Sequence, residues 1–568
     1  MATASTKQRR NKRASAVQSS RSAATAAMPA ASGANVARPP QISEPVWRLA
    51  GGAVLLVGAV LRFVALELKP LHHDEGVNGF FVKRLMQEGI YQYDPANYHG
   101  PTLYYLTLPF TLLAGLNTFA IRSVPALFGL GLVWLTLCLR RRIGSIGALA
   151  AAALVAVSPG VVYMSRYYIH ETLFVFFTLG LVVAALRYYD TGRPLYLLLA
   201  SAATALLFAT KETAFISVGV LALAWGVAWG VAWGVQWVAT RVGWDWGKDF
   251  DGGARRSDQG KGVWPADHPA ARGAAVPERF GRTDHFFFLW LAAIALFVFI
   301  NILFYSSFFT YAKGIDGALE TFKIWTQTGT KDHTKPFFTY VTWLWQEEAG
   351  TLLLGAAGAT LAVLGARNRF AVFAGAWAFG ILAAYSLVPY KTPWLAINFI
   401  VPLAIIGGYA VSVFYEWGRK RVPEWSALTL APALTAVLLG SYQAVRLNFY
   451  HYDDDRYPYV YAHTWRDFLT LVSEVERLAA RAGTGKATAV SIASPDYWPL
   501  PWYLRDYKHV GFHGRLGAYT EPIVIGNESQ QSQLEAQLGA RYQKVGTVYA
   551  LRPGVNLVIY AHRELTGL

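Results

Sequence analysis

Eleven runs of about 20 mostly apolar residues dominate this sequence, each long enough to cross a bilayer as a helix. Inside lipid a backbone must satisfy its own hydrogen bonds, so such runs leave the α-helix as their outcome. They lie near 47–67, 120–139, 144–163, 171–188, 194–210, 213–238, 286–308, 350–365, 371–388, 395–414 and 426–445. Of the 568 residues, 54% are hydrophobic and 15% charged, against about 25% charged in soluble domains, which excludes an ordinary soluble protein. The single cysteine, Cys138, falls in an apolar run, so neither a disulfide framework nor a cysteine-based zinc site can form within one chain.

The net charge of +16 reads as topology and not as nucleic-acid binding. Basic residues crowd the N-terminal tail (Lys7, Arg9, Arg10, Lys12, Arg13, Arg21). They recur between apolar runs as Arg140-Arg141-Arg142, Arg187 and Arg193, Arg367 and Arg369, and Arg419-Lys420-Arg421. With the tail inside, each of these clusters also falls inside. The expected layout is a disordered basic cytoplasmic tail over 1–46, not a cleavable signal peptide, then a membrane domain over 47–445 with a cytoplasmic linker at 239–285. An extracytoplasmic α/β domain over 446–568 follows. Pro101 to Leu116 is apolar but short, and counting it as a span would put Arg140–Arg142 outside, so it reads as a helix in the outer interface.

The fold class expected is therefore an all-α polytopic membrane domain of about 11 transmembrane helices plus a small C-terminal α/β domain. In the latter, Trp465 to Ala482 has helical periodicity, while Thr488 to Ala493, Pro522 to Ile525, Thr547 to Leu551 and Val555 to Ala561 read as strands. Trp225, Trp229, Trp233 and Trp237 recur every fourth residue with Gly226, Gly230 and Gly234 between them. That spacing predicts a ridge of indoles beside a groove of small residues, and tight packing against a neighbouring helix.

The threading has a chemical consequence. His72-His73-Asp74-Glu75, Tyr98-His99-Gly100-Pro101, Arg166 to Glu171, Lys211-Glu212, the loop Tyr311 to Glu348 and Pro389 to Pro393 all land on the outer face. Structural polar residues have no reason to collect on one side, and ionisable groups at a membrane surface are costly unless they act there. Asp74 or Glu75 can serve as a general base toward a hydroxyl, and Glu171 supplies a second carboxylate. Arg166, Lys211 and Lys391 supply positive charge suited to a phosphate. Together these groups suit glycosyl transfer from a lipid-phosphate donor. The acceptor attacks the anomeric carbon with inversion, and cations stabilise the departing phosphate. The aromatic stretch Tyr497 to Arg505 fits either stacking on a sugar, through Trp498 and Trp502, or docking onto the membrane loops.

These motifs resemble the GT-C superfamily of membrane glycosyltransferases, which includes protein O-mannosyltransferases and aminoarabinose transferases. Asp74-Glu75 resembles its acidic motif after the first span, and Ser165 to Glu171 resembles its second acidic site, with Glu171 where Asp is more usual. Tyr98 to Tyr105 resembles its juxtamembrane helix, with His99 in place of a lysine. Thr210-Lys211-Glu212 and Val388 to Trp394, including Tyr390, are similar to its carrier-phosphate segments. More narrowly, His72 to Asn78 and Tyr497 to Leu504 resemble a prokaryotic branch named as flippase-activity-associated in archaeal protein-glycosylation loci.

The resemblance implies a multi-pass transferase of the cell membrane, moving a hexosyl or pentosyl group. Its donor would be a polyprenyl- or dolichyl-phosphate sugar and its acceptor a glycan, lipid or protein; nucleic acid is not a partner. Asp74, Glu75 and Glu171 would be catalytic, Arg166, Lys211 and Lys391 would bind carrier phosphate, and His99, Tyr390, Trp498 and Trp502 would contact substrate. The resemblance leaves the need for a cofactor open, with a divalent cation at His72, His73 or His170 as the alternative to none. Adjacent residues point in different directions, so His72 to Glu75 cannot all ligate one ion. A transporter or flippase component that escorts lipid-linked sugars is the competing reading. Transporters bury ionisable groups near mid-membrane and show internal repeats, whereas these motifs sit at span ends and no half-to-half repeat is visible.

Overall fold

A computed structural model describes residues 41–97, 99–242, 283–328, 334–365 and 368–566. The first helices are α1 (Glu44–Phe63), α2 (His73–Glu88), α3 (Thr102–Ala114), α4 (Thr118–Leu137), α5 (Arg140–Val157), α6 (Pro159–Ser165), α7 (Glu171–Thr191), α8 (Pro194–Phe208) and α9 (Ala214–Val242). There follow α10 (Thr283–Tyr305), α11 (Lys313–Thr328), α12 (Thr339–Glu347), α13 (Ala349–Gly365), α14 (Arg369–Leu387), α15 (Ile397–Arg421), α16 (Ala431–Val445) and α17 (Phe468–Arg481). Among the described residues, eight helices are long and apolar enough to span a membrane, or up to ten candidates if each bent pair counts as one. The eleven expected runs correspond to these eight, the two bent pairs, and α8, whose 15 residues are short for a full crossing. The run after Pro101 forms the 13-residue α3, too short to cross, in keeping with an interfacial helix.

Both breaks have local causes, and they meet. Between α5 and α6 the chain bends by 58° at Ser158, where Pro159 cannot continue the hydrogen-bond ladder of the preceding helix. The Ser158 hydroxyl then caps α6 by accepting from Val161 N. Between α12 and α13 the bend is 113° and falls at the buried Glu348. That carboxylate accepts from the Ser158 hydroxyl and, at 3.0 Å, from Gly160 N, so each break supplies a hydrogen-bond partner to the other.

The tryptophan ridge does not pack as its spacing predicts. A Cβ on Gly226, Gly230 or Gly234 would meet nothing within 4 Å, and Trp225 and Trp229 are 61% and 48% exposed. Helix α9 buries its other side, through Val220, Ala224 and Ala228, in the core shared with α14. The indole of Trp229 lies 5.7 Å from that of Trp225 between centroids and under the Arg369 guanidinium, 4.8 Å from its ring centroid. In lipid, apolar surface gains little by packing on protein, so a regular small-residue stripe does not by itself bring in a neighbour. The side chains of Trp233 and Trp237 lie outside the described residues, as do the tail and most of the linker.

The C-terminal region carries β1 (Val490–Ile492), β2 (Val510–Phe512), β3 (Ile523–Asn527), β4 (Tyr542–Arg552) and β5 (Val555–His562). They form one mixed sheet in the order β2-β1-β3-β5-β4, parallel across β2-β1-β3 and antiparallel beyond. Four of these match expected strands; β2, only three residues long, was missed because so short a segment shows no alternation. Helix α17 packs Phe468, Leu471, Val475 and Leu478 on one sheet face against Val490, Ile492, Ile525 and Ile559, the i, i+3, i+7 spacing of one helical stripe.

This region is seated on α2 by shape. A Cβ on Gly79 would come within 2.5 Å of the Trp502 ring, and one on Gly76 within 2.9 Å of Pro499. Two glycines three residues apart thus flatten one face of α2 for the aromatic loop.

Candidate active site

The motif after α1 is built as a helix start. His72 is the N-cap of α2, its Nδ1 accepting from Asp74 N, while Glu75 reaches back to accept from His72 N at 3.0 Å. This reciprocal cap turns consecutive residues in opposite directions. Glu75 faces inward with no exposed side-chain surface, and Asp74 faces outward with 41% of its side chain exposed.

Glu75 is fully engaged. Arg122, from α4, donates to its two oxygens at 2.7 Å each, and Tyr168 N adds a bond of 2.8 Å. The remaining Arg122 donors reach the carbonyls of Leu66, Lys69 and Pro70, so the guanidinium closes the loop between α1 and α2. Burial alone would raise the Glu75 carboxyl, but Arg122 outweighs it and holds it below the ordinary carboxylate range. Expected as a catalytic residue, Glu75 has its acceptor positions occupied by Arg122, His72 N and Tyr168 N. A lone arginine inside an apolar run was the sequence signal for this partner, and it went unread.

Two of the cations expected to hold phosphate are helix caps. Arg166 donates to the carbonyls of Leu61, Arg62, Val64 and Ala65 at 2.6–3.3 Å, closing the C-terminus of α1. Lys391 donates to Ser386 O and Val388 O at 3.0 and 2.6 Å, at the end of α14. Unpaired carbonyls and the negative end of the helix dipole attract a cation there, which accounts for both placements without a ligand.

Lys211 lies elsewhere, in a buried ion pair with Glu171, the first residue of α7. The turn before α9 is held to the turn before α3 by Gly100 N on Thr210 O and Thr102 N on Ala209 O. A Cβ on Gly100 would meet Ala209 O at 2.0 Å, so only glycine allows this approach. The clasp sets His99 Nδ1 3.1 Å from Glu212, and the rings of His99 and His170 lie 4.9 Å apart. Burial would lower Lys211, but Glu171 and Glu212 outweigh it and raise the ammonium above its ordinary range. His170 is pushed well below the ordinary histidine range by burial, then by His99 and Lys211, so it is neutral.

Tyr167 joins this cluster to the motif on α2. Burial raises its phenol well above the usual range, and the charges of Asp74, Glu75 and Glu171 all reach it. Asp74, Glu75 and Glu171 thus lie within electrostatic reach of one buried tyrosine, with Lys211 paired to Glu171, while Lys391 is held at the end of another helix.

The remaining candidates separate. Trp502, expected to contact substrate, is 3% exposed, with its Nε1 3.3 Å from the Thr118 hydroxyl, which seats the C-terminal region against the start of α4. Trp498 stays partly exposed between His73 and Phe80, each 6.1 Å away between centroids. Tyr390 lies in an isolated antiparallel bridge with Thr334, which joins the segment before α12 to the segment after α14. Among the described residues no group of three or more His, Cys, Asp or Glu side chains is placed to hold a metal. His72 shows why: its Nδ1 takes Asp74 N, its Nε2 faces Tyr461 O at 3.2 Å, and its ring stacks on His463. Tyr98 and His333 lie outside the described residues.

Residues 98–244 match the family model described as dolichyl-phosphate-mannose-protein mannosyltransferase. In fold, the chain is similar to ArnT from Cupriavidus metallidurans bound to undecaprenyl phosphate, at 14% identity and a TM-score of 0.60, over 93% of this chain and 100% of that one. The apo state of the same protein aligns at 14% identity and a TM-score of 0.56, over 91% and 98%. The archaeal oligosaccharyltransferase AglB from Archaeoglobus fulgidus, in complex with an inhibitory peptide and a dolichol-phosphate, aligns at 14% identity and a TM-score of 0.50, over 86% and 70%. No curated protein matches the chain by sequence.

Proposed function

We propose that the chain is a membrane glycosyltransferase of the GT-C type, which transfers a sugar from a polyprenyl- or dolichyl-phosphate carrier to a glycan, lipid or protein acceptor on the outer face of the membrane. Asp74 is the general base. The observation that carries this reading is the division of labour within the motif: Glu75 is saturated by Arg122 and two backbone N–H groups, while Asp74 is left half-exposed within electrostatic reach of Tyr167. A carboxylate that is held in place by a helix cap and still open to solvent suits removal of a proton from an acceptor hydroxyl.

In this mechanism the acceptor oxygen attacks the anomeric carbon as its proton passes to Asp74, and the bond to the carrier phosphate breaks with inversion. No covalent enzyme intermediate is needed. The relatives with bound undecaprenyl phosphate and dolichol-phosphate support a prenyl-phosphate carrier here. The basic clusters between spans support an outer-face site, and the motifs His72 to Asn78 and Tyr497 to Leu504 support the flippase-associated branch.

The test is incubation of the purified protein with radiolabelled polyprenyl-phosphate sugars and candidate acceptors. Transfer that survives Asp74→Asn at the wild-type rate would sink the assignment.

A further inference from the structure

We propose that Lys69 and Tyr167 form an anion site for the phosphate of the lipid carrier, beside Asp74 and distinct from the capping cations Arg166 and Lys391. The inference rests on the reading of the chain as a transferase with a prenyl-phosphate donor, and it names the group that meets that donor.

The ammonium of Lys69 is only 5% exposed and has no hydrogen-bond partner among the described residues. It lies over the ring of Tyr163 at 3.9 Å and over that of Tyr167 at 4.8 Å. Two π faces orient the cation but give its N–H groups no oxygen. Tyr167, 2% exposed, likewise has a hydroxyl without a partner. Buried donors are almost always satisfied, so two neighbouring donors left open in one cluster point to a shared acceptor.

The surrounding charges choose its sign. Arg122 and Arg166 lie within electrostatic reach of Lys69, and Glu75 is the carboxylate in reach. Glu75 is already bound by Arg122, and although the charges of Asp74 and Glu171 reach Tyr167, the two arginines set a positive field at Lys69. The other neighbours, His72 and His463, are lowered chiefly by burial and carry no charge to oppose an anion. A phosphate oxygen fits such a place, and it would complete the hydrogen bonding of both open donors.

An irregular loop packs against the two donors, with the ring of His463 6.1 Å from that of Tyr167 between centroids. The loop is the stretch from Tyr461 to His463, held by His72 Nε2 on Tyr461 O at 3.2 Å and His463 Nε2 on Pro70 O at 3.1 Å. Burial is the largest influence on Lys69 and holds it well below the ordinary lysine range, so an arriving anion restores its charge. Carrier binding is therefore coupled to proton uptake.

The experiment is calorimetric titration of the full-length protein in detergent with decaprenyl phosphate, decaprenol and inorganic phosphate, in two buffers of different ionisation enthalpy. At about pH 8 the wild type should take up roughly one proton per decaprenyl phosphate bound. Lys69→Met should weaken that binding about tenfold or more and abolish the uptake, with decaprenol binding unchanged. Lys69→Arg should retain most of the affinity without uptake, because a guanidinium stays charged. Tyr167→Phe should weaken binding a few-fold.

Wild-type affinity in a Lys69→Met protein that melts normally would overturn the proposal. Should Lys69→Met not fold, proton uptake that persists in Lys69→Arg would overturn it instead. Inorganic phosphate binding as tightly as decaprenyl phosphate would overturn the lipid assignment. A protein that binds carrier as described yet transfers no sugar would overturn the transferase reading and leave the anion site standing.

Discussion

Arg122 grips Glu75 through both carboxylate oxygens at 2.7 Å, and neither side chain has any exposed surface. The pair ties α4 to the first turn of α2 and, through the other guanidinium donors, to the loop that carries Lys69 and Pro70. It explains why two adjacent acidic residues have different fates. Removing Glu75 strands a buried guanidinium, whereas removing Asp74 strands nothing.

Glu75→Gln or Arg122→Met should therefore destabilise the protein by about 3–5 kcal/mol, the cost of breaking a buried pair from one side. Asp74→Asn should leave the melting temperature near wild type and lower turnover by about 10²–10⁴. Thermal unfolding in detergent, beside a radiolabelled transfer assay, reads both. A stable Glu75→Gln protein with a pure loss of turnover would reverse the assignment.

Lys391→Met should cost about 1 kcal/mol, the scale of a cation at a helix C-terminus, and leave the KM for the lipid donor unchanged. If Lys391 held phosphate instead, KM would rise with little change in melting. Arg166→Met should lower the melting temperature further, because two carbonyls in the last turn of α1 and two just beyond it lose their donor.

The Lys211–Glu171 pair should behave as a unit. Lys211→Met and Glu171→Gln should each destabilise by about 3 kcal/mol, and the double variant by much less than their sum. A double-mutant cycle on melting data checks this, and simple additivity would mean that the pair carries no coupling.

Acid should weaken the fold in the range where histidines titrate. His72, His170 and His463 are each lowered from the ordinary histidine value, with burial the largest cause. Below about pH 6.5 the unfolded chain binds protons that the folded state refuses, so their stabilising contribution is complete above that pH and is lost as pH falls. The slope is about 1.4 kcal/mol per pH unit for each group that stays neutral. Melting temperature should thus fall between about pH 7 and 5.5, and His463→Gln should flatten the decline.

Gly79→Ala tests the docking of the C-terminal region. Helix propensity alone would favour alanine by about 1 kcal/mol, but its Cβ would stand 2.5 Å from Trp502. Overpacking of this kind costs about 1–3 kcal/mol, so the variant should be less stable and its C-terminal region more readily cleaved by protease.

Much of the fold was legible in the apolar runs. Each expected span has a helix, and the short run after Pro101 became a short helix, because a backbone in lipid has nowhere else to place its hydrogen bonds. The C-terminal strands were legible where alternation extended over several residues, and β2 escaped because it did not. The acidic motif was legible as chemistry. What could not be read was partnership: Arg166, Lys391 and Lys211 look alike in sequence, yet two cap helices and one pairs with Glu171.

Composition and period by themselves determined that this chain forms membrane helices, that its ionisable motifs sit at their ends, and that a mixed α/β region follows. Tertiary structure alone decided that Asp74 is free while Glu75 is clamped, that Trp502 docks on two glycines, and that Lys69 and Tyr167 are left with open donors. The physical reason is range. Helix formation in lipid is a local requirement that each segment meets alone, whereas the task of a charged side chain depends on which distant carbonyl, carboxylate or ring arrives beside it.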